Sequence, residues 1–318
     1  MQKLTTPPTL QQIRETHEAI TPYIHNTPVL SCGQIDNISD AYLFFKCENF
    51  QKIGAFKMRG ATSAALRLSE EEKRAGLATH SSGNHAQAVS LTAKLMQIPA
   101  HIVMPDVSPQ IKVNATQGYG AQVYFCENNQ RAREDMLAKV QQETGAAFIH
   151  PYDDYNVIAG QATAAKEMLE TIPDLDAIIA PIGGGGLMSG TALTTKYMSP
   201  KTKIYGSEPK EVDDAWRSYT TGVLQKNTTI NTIADGLRTN LSEKTFGIIH
   251  THLDDIFTVT EEAIMEAMSL IYERMKIVIE PSSAVPLAAI LANPHVFEGR
   301  RTGIILSGGN VDLKKIFS

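Results

Sequence analysis

The sequence predicts an α/β fold in which mainly parallel sheets are flanked by helices. Short apolar runs of β character alternate along the chain with stretches of about 10 to 20 residues patterned as helices. Strands spaced in this way cannot be hairpin neighbours, so parallel pairing through crossover helices is the economical arrangement. No fixed-period repeat, low-complexity tract or Gly/Ser linker interrupts the series. Two lobes must therefore share a tight connection, one inserted in the other.

The elements follow in order. A first helix is expected over 9–23, with Thr9 as cap, Gln12 completing a capping box, and Leu10, Ile13, His17 and Ile20 on one side. Leu43, Phe44 and Phe45 make a short strand. The run 69–74 reads as a helix start, its glutamates placed on the positive end of the dipole. The strand at 101–104 precedes a helix that Ser108 caps, with Pro109 at its first position. Strands are expected over 122–126, 147–150, 177–182, 203–207 and 255–259, and 302–306 closes the series.

Composition narrows the function. Hydrophobic residues make 42% and charged residues 20% of the 318, which excludes wholesale disorder. A net charge of −5 provides no global field for nucleic acid or anionic membrane. The longest apolar runs, 284–292 and 177–182, fall short of the ~18–20 residues of a membrane helix. The start, 1–9, is polar and lacks a signal-peptide core. Cys32, Cys47 and Cys126 are odd in number and lack CxxC spacing, so neither a disulfide framework nor a zinc site is indicated. A cytoplasmic protein acting on a small molecule is expected, with neither nucleic acid nor membrane as partner.

Three segments resist explanation as core or surface. Gly183, Gly184, Gly185 and Gly186 lie between an apolar strand and a helical pattern beginning at Leu187. A turn needs one or two glycines; four let consecutive backbone N–H groups approach an anion at a helix N-terminus. Walker A and G-x-G-x-x-G spacings both fail at Met188, although Glu208, ending the next strand, stands where a ribose-binding acid would. A single phosphate fits better than a pyrophosphate. In the second segment, Lys57 has apolar and small neighbours, where burial would lower its pKa and make it a nucleophile and base; a surface lysine is the plainer reading. The third is Ser81-Ser82-Gly83-Asn84-His85, a turn before a helix suited to a carboxylate, with His85 by itself more in keeping with a structural role. Ser307-Gly308-Gly309-Asn310 repeats the strand-to-glycine pattern near the end.

These motifs, F-K-x-R-G-A, S-S-G-N-H, the glycine tetrad and S-G-G-N, together resemble the pyridoxal-phosphate enzymes of fold type II (tryptophan synthase β-like). The serine racemase and serine/threonine dehydratase group is the nearest match, along essentially the whole chain. The resemblance implies two lobes, a large cofactor-binding one (1–75 and 152–318) and a small mobile one (76–151) closing over the substrate. It implies pyridoxal 5′-phosphate in Schiff-base linkage to Lys57, with Phe56 beside the ring. Gly183, Gly184, Gly185, Gly186 and Leu187 would hold the phosphate, Asn84 the ring hydroxyl and Ser307 the pyridine nitrogen. Ser81, Ser82, Asn84 and His85 would receive the substrate carboxylate. Glu208, a carbonyl at Val212, and Asp214 would bind a divalent cation, Mg²⁺, Ca²⁺ or Mn²⁺; a solvated acidic turn is the alternative. A homodimer is also implied.

The sequence departs from the group's pattern at Ala86 and at Ile53, and Cys32-Gly33-Gln34 replaces a more hydroxyl-rich stretch that the resemblance associates with nucleotide binding, so control by ATP is not expected. Only residues 311–318 follow the final motif, so the C-terminal regulatory domain of the biosynthetic threonine dehydratases is not expected here. The expected reaction is β-elimination from L-serine, L-threonine or threo-3-hydroxyaspartate, giving a 2-keto acid and ammonia. Arg133 would reach a second carboxylate, unless it is an exposed helix arginine paired with Glu134 or Asp135. Ser82, placed across from Lys57, would allow racemisation, so a serine racemase is the alternative. A nucleotide-binding regulatory protein is the remote one, and it leaves Lys57, Ser81, Ser82 and Ser307 unexplained.

Overall fold

The computed structural model describes residues 1–313; residues 314–318, part of the tail after the last glycine motif, lie outside the described set. The chain opens with α1 (Leu10–Ile20), β1 (Val29–Leu30), α2 (Gly33–Ser39), β2 (Tyr42–Cys47), α3 (Lys57–Leu66) and α4 (Glu70–Ala75). Then come β3 (Leu77–His80), α5 (Asn84–Met96), β4 (Ala100–Pro105), α6 (Gln110–Gly118), β5 (Gln122–Cys126), α7 (Gln130–Thr144) and β6 (Ala147–Phe148). The remainder holds α8 (Tyr155–Thr171), β7 (Ala177–Pro181), α9 (Gly186–Met198), β8 (Lys203–Pro209), α10 (Asp214–Thr221) and α11 (Glu243–His252). It ends with β9 (Asp255–Val259), α12 (Glu261–Leu270), α13 (Pro281–Ala292), α14 (Pro294–Phe297) and β10 (Arg301–Leu306).

Two sheets result. The larger has the order β1-β2-β10-β7-β8-β9 and the smaller β5-β4-β3-β6. Every pairing is parallel except that of β1 with β2, where the short β1 runs antiparallel along the edge. The strands of the smaller sheet are consecutive in sequence and interrupt the larger one between β2 and β7. In each sheet the chain winds outward and then returns: β6 to the far side of β3, β10 to a slot between β2 and β7. Reversals of this kind open crevices at the carboxyl ends of strands.

Local chemistry sets the boundaries. Thr9 and Gln12 form the expected capping box, and α1 buries Ile13, Thr16 and Ile20. Ser69 and Glu72 form a second box at α4. The expectation at α6 is corrected: Pro109 is the cap and not the first helical residue, because its ψ of 132° is extended and its carbonyl accepts from Lys112 and Val113. Helix α13 is apolar on nearly every side and buried from Pro281 to Ile290, as a helix sandwiched between layers must be.

Candidate active site

Four strand ends converge. β7 runs into the glycine tetrad, β10 into Ser307–Asn310, β3 into Ser81–Asn84, and β6 into Ile149–Tyr152. Lys57 opens α3 beside this junction. Its Nζ donates to the carbonyl of Pro151 at 2.9 Å and stands 5.1 Å from the Phe56 ring centroid. Among the described residues no carboxylate forms an ion pair with it. Burial lowers its pKa to about 8, against an opposing pull from Glu280. The amine is therefore appreciably neutral near physiological pH, unlike the surface lysine of the plainer reading.

The tetrad has no room for side chains. A Cβ on Gly184 would lie 2.2 Å from the Tyr152 ring, and one on Gly186 would lie 2.9 Å from Tyr152 Cβ. Gly185 has φ +84° and would meet Leu241 at 2.7 Å. These glycines lead into α9, whose first N–H groups have no acceptor within the helix. A backbone cradle that side chains would fill, at the positive end of a helix and near an isolated amine, fits the phosphate and aldehyde of pyridoxal phosphate.

Ser307 is buried, and its hydroxyl meets that of Ser283 at 3.1 Å. Ser283 Oγ also bonds both the carbonyl and the N–H of Gly308, at 2.7 Å each. Asn84 Nδ2 donates to both oxygens of Glu280 at 3.0 Å, and Asn84 Oδ1 accepts from Asn310 Nδ2 at 2.8 Å. Ser81 Oγ accepts from Gly83 N–H, and Ser82 is half-buried in the same turn. The His85 ring is buried, its Nε2 bonds the Ile149 carbonyl at 2.8 Å, and burial, helped by the charge of Lys57, keeps it neutral. What His85 offers a ligand is its backbone N–H at the start of α5.

Lys57 is reached through a strained turn. Ile53, nearly buried, has φ +61° and ψ 7°, a left-handed conformation that costs a β-branched residue roughly 1–3 kcal/mol. Its carbonyl accepts from Asn310 Nδ2 at 2.6 Å. Gly309 N–H bonds the Gly54 carbonyl at 2.8 Å, and Phe56 N–H bonds the Ser307 carbonyl at 3.0 Å. Two residues into α3, the Arg59 guanidinium is wholly buried and spends its fork on Glu48 and Glu167, at 2.7–2.8 Å.

Arg133 is half-buried; its Nη2 bonds Asn128 Oδ1 at 2.9 Å, and its Nε is buried with no hydrogen-bond partner. It pairs with neither Glu134 nor Asp135; Asp135 takes Arg131 instead. Burial lowers the imidazole pKa of His80, with the charge of Glu134 opposing and that of Arg133 assisting. Glu208 and Asp214 are both buried, so the solvated acidic turn is excluded. Glu208 accepts from Trp216 N–H at 2.6 Å, and Asp214 from Asn227 Nδ2 at 2.7 Å and Leu241 N–H at 2.8 Å. Burial, reinforced by the charge of Asp214, raises the Glu208 carboxyl well above its ordinary value, and burial brings Asp214 to about 6. No cluster of three or more His, Cys, Asp or Glu occurs among the described residues; the expected set has two carboxylates beside the buried Val212. Two buried carboxyls, with no ion pair to either among the described residues, are oxygen donors of the kind a hard cation takes.

Sequence reasoning missed Glu280, Pro151, Tyr152 and Ser283. Only Glu280 carried a signal: Glu280-Pro281-Ser282-Ser283 reads as a cap followed by proline at the first helical position. Burial raises the Glu280 carboxyl to about 7.

A family model described as pyridoxal-phosphate dependent enzyme matches residues 20–308. The beta-hydroxyaspartate dehydratase of Paracoccus denitrificans is 47% identical over 309 residues, covering 97% of this chain and 98% of its own. The serine racemase of Dictyostelium discoideum is 48% identical over 312 residues, covering 97% and 96%. The crystal structure of that racemase superposes with a TM-score of 0.92 at 47% identity, covering 96% of this chain and 99% of its own. With an isolated amine, a glycine cradle and these likenesses along nearly its whole length, the chain belongs to the fold type II pyridoxal-phosphate enzymes of the serine racemase and dehydratase family.

Proposed function

We propose that this protein eliminates the β-hydroxyl of small β-hydroxy amino acids, threo-3-hydroxyaspartate foremost and then L-serine and L-threonine, yielding a 2-keto acid and ammonia. The observation that carries the reading is the half-buried Lys57 amine, paired with no carboxylate among the described residues, beside a cradle built of four glycines. Lys57 and Phe56 would hold the aldehyde end of the cofactor, residues 183–187 its phosphate, Asn84 its ring hydroxyl and Ser307 its ring nitrogen. When bound, pyridoxal phosphate supplies an electron sink that makes the substrate Cα proton acidic.

The residues of the chain supply the rest. The turn at Ser81 and Ser82 and the free N–H groups opening α5 receive the α-carboxylate. The neutral Lys57 amine takes the Cα proton. Ser307 can present only a neutral donor, and it does so when Ser283 turns its own O–H to Ser307 Oγ; charge withdrawal at that end is therefore weaker than a carboxylate would give, which favours prompt loss of the β-hydroxyl. Arg133, with its free Nε, would meet a second carboxylate, in keeping with the name of the 47% identical dehydratase. The small lobe, 76–151, reaches the large one through Asn84–Glu280 and through Lys112–Asp235 at 2.7 Å. Glu208, Val212 and Asp214 would hold a structural or activating divalent cation.

A second reading, serine racemisation with elimination beside it, is favoured by the 48% identical racemase and by a hydroxyl at Ser82. Product analysis with L- and D-serine, L-threonine and threo-3-hydroxyaspartate tests both readings. Lys57→Ala should abolish all turnover. Arg133→Ala should lose about tenfold or more in kcat/KM for the diacid alone. Ser82→Ala should lose use of D-serine and keep elimination from the L-isomers. Turnover surviving in Lys57→Ala would end the proposal; an unselective Arg133→Ala would retire the diacid preference, and racemisation surviving in Ser82→Ala the two-base reading.

A further inference from the structure

The left-handed Ile53 lies four residues before Lys57, and the backbone between them is tied to the loop that follows β10. Gly54 accepts from Gly309 N–H, Ala55 bridges Gly308, and Phe56 donates to Ser307. One side chain reaches the strained residue itself. Asn310 Nδ2 has two hydrogens; one goes to the Ile53 carbonyl at 2.6 Å and the other to Asn84 Oδ1 at 2.8 Å. Its amide oxygen lies over Gly54, 2.9 Å from where a Cβ would stand. The Asn310 backbone N–H is spent on Glu280 at 3.2 Å, so the amide is anchored at its base. A residue forced into an unfavourable region persists only where its surroundings over-determine it; here the backbone ties hold the residues that follow, and the Asn310 amide holds the Ile53 carbonyl itself.

We infer that Asn310 is a positioning residue for Lys57, acting through the strained turn at Ile53. Without the Asn310 amide, Ile53 relaxes toward ordinary φ, the turn unwinds from the 307–310 loop, and the Lys57 amine moves off the substrate Cα. The same amide holds Asn84, so the turn that aims the base and the helix start that receives the carboxylate share one tether. The inference rests on Lys57 being the cofactor-bearing base.

The test uses Asn310→Ala, Ile53→Gly and their combination, because glycine adopts positive φ without strain and makes the tether dispensable. In cofactor-free protein, hydrogen exchange of the peptide spanning 51–57 should quicken about tenfold in Asn310→Ala and return toward wild type in the double variant. In cofactor-loaded enzyme, kcat should fall by about 10- to 100-fold as the base is displaced, and KM should rise by less than kcat falls, because Asn84 loses the same tether. Adding Ile53→Gly should restore kcat about fivefold or more. Asn310→Ser, which keeps a donor but cannot reach both acceptors, should lie between wild type and Asn310→Ala. Unchanged exchange in Asn310→Ala, or no recovery with glycine at position 53, overturns the inference. Failure of the underlying reading is separable. If Lys57→Ala keeps the cofactor's borohydride-reducible visible band, both proposals fall; if it loses the band while Asn310→Ala behaves as wild type, this one alone does.

Discussion

Lys57 shows how burial turns an ordinary side chain into a reagent. Taking its amine out of water favours the neutral form and lowers its pKa to about 8 from the usual 10.5. Folded protein therefore bears a penalty from this group that is full below pH 8, fades as pH rises from 8 to 10.5, and is gone above that. Capture of pyridoxal phosphate needs the neutral amine, so its rate should climb about tenfold per pH unit below 8 and flatten above. Stopped-flow absorbance on cofactor-free protein reads this directly, and a rate flat from pH 6 to 9 contradicts the assignment. The F-K-x-R-G-A motif marked Lys57 in the sequence, yet nothing there marked Pro151, whose carbonyl is the amine's only hydrogen-bond partner among the described residues. That partner lies 94 positions away and is a backbone atom, which has no residue identity to read.

Helix α3 carries the base, and the charges beneath it fix how the helix sits. Arg59 and Lys46 face Glu48 and Glu167, two of each sign, all buried. Lys46 Nζ donates to Glu167 and to the Thr27 carbonyl at 2.6 Å, and His17 from α1 meets Glu167 at 2.9 Å. Burial raises the Glu167 carboxyl, but its bonds to His17 and Arg59 outweigh that and hold it well below the carboxylate range. The network joins α1, β2, α3 and α8, the helix that starts just after Pro151. Arg59→Met should leave the buried Glu48 without its ion pair and Glu167 with only Lys46 and His17, at a cost of roughly 3–5 kcal/mol, read as a lower urea midpoint. A midpoint equal to wild type would mean the network contributes little. The alternation of strands and helices made these elements predictable, and the capping box located α1; the ion network was hidden because 108 residues separate Arg59 from Glu167.

Across the whole molecule, the carboxylates of Glu208 and Asp214 join the end of β8 to the start of α10 and the approach to α11. Buried carboxyls such as these oppose folding when ionised, and in the proposed reading a divalent cation would relieve that cost. Millimolar Mg²⁺ or Ca²⁺ should therefore raise Tm; at a hundredfold excess over Kd the gain is about 2.7 kcal/mol. Asp214→Asn should raise Tm without metal and abolish the further rise. Differential scanning fluorimetry measures both, and a Tm indifferent to cations in wild type removes the metal from the proposal.

Taken alone, the sequence determined the α/β class, the glycine cradle, the amine and the terminal serine, because each depends on local spacing and backbone freedom within a few residues. It also marked the acids at 208 and 214 without showing that they are buried. Only the tertiary structure decided that the His85 ring bonds the Ile149 carbonyl and that Glu280 faces Asn84. It alone showed Asn310 holding Ile53 in a conformation its side chain disfavours. Those features depend on which distant segments meet and on what burial does to charge once they have met, and neither is carried by neighbouring residues in the chain.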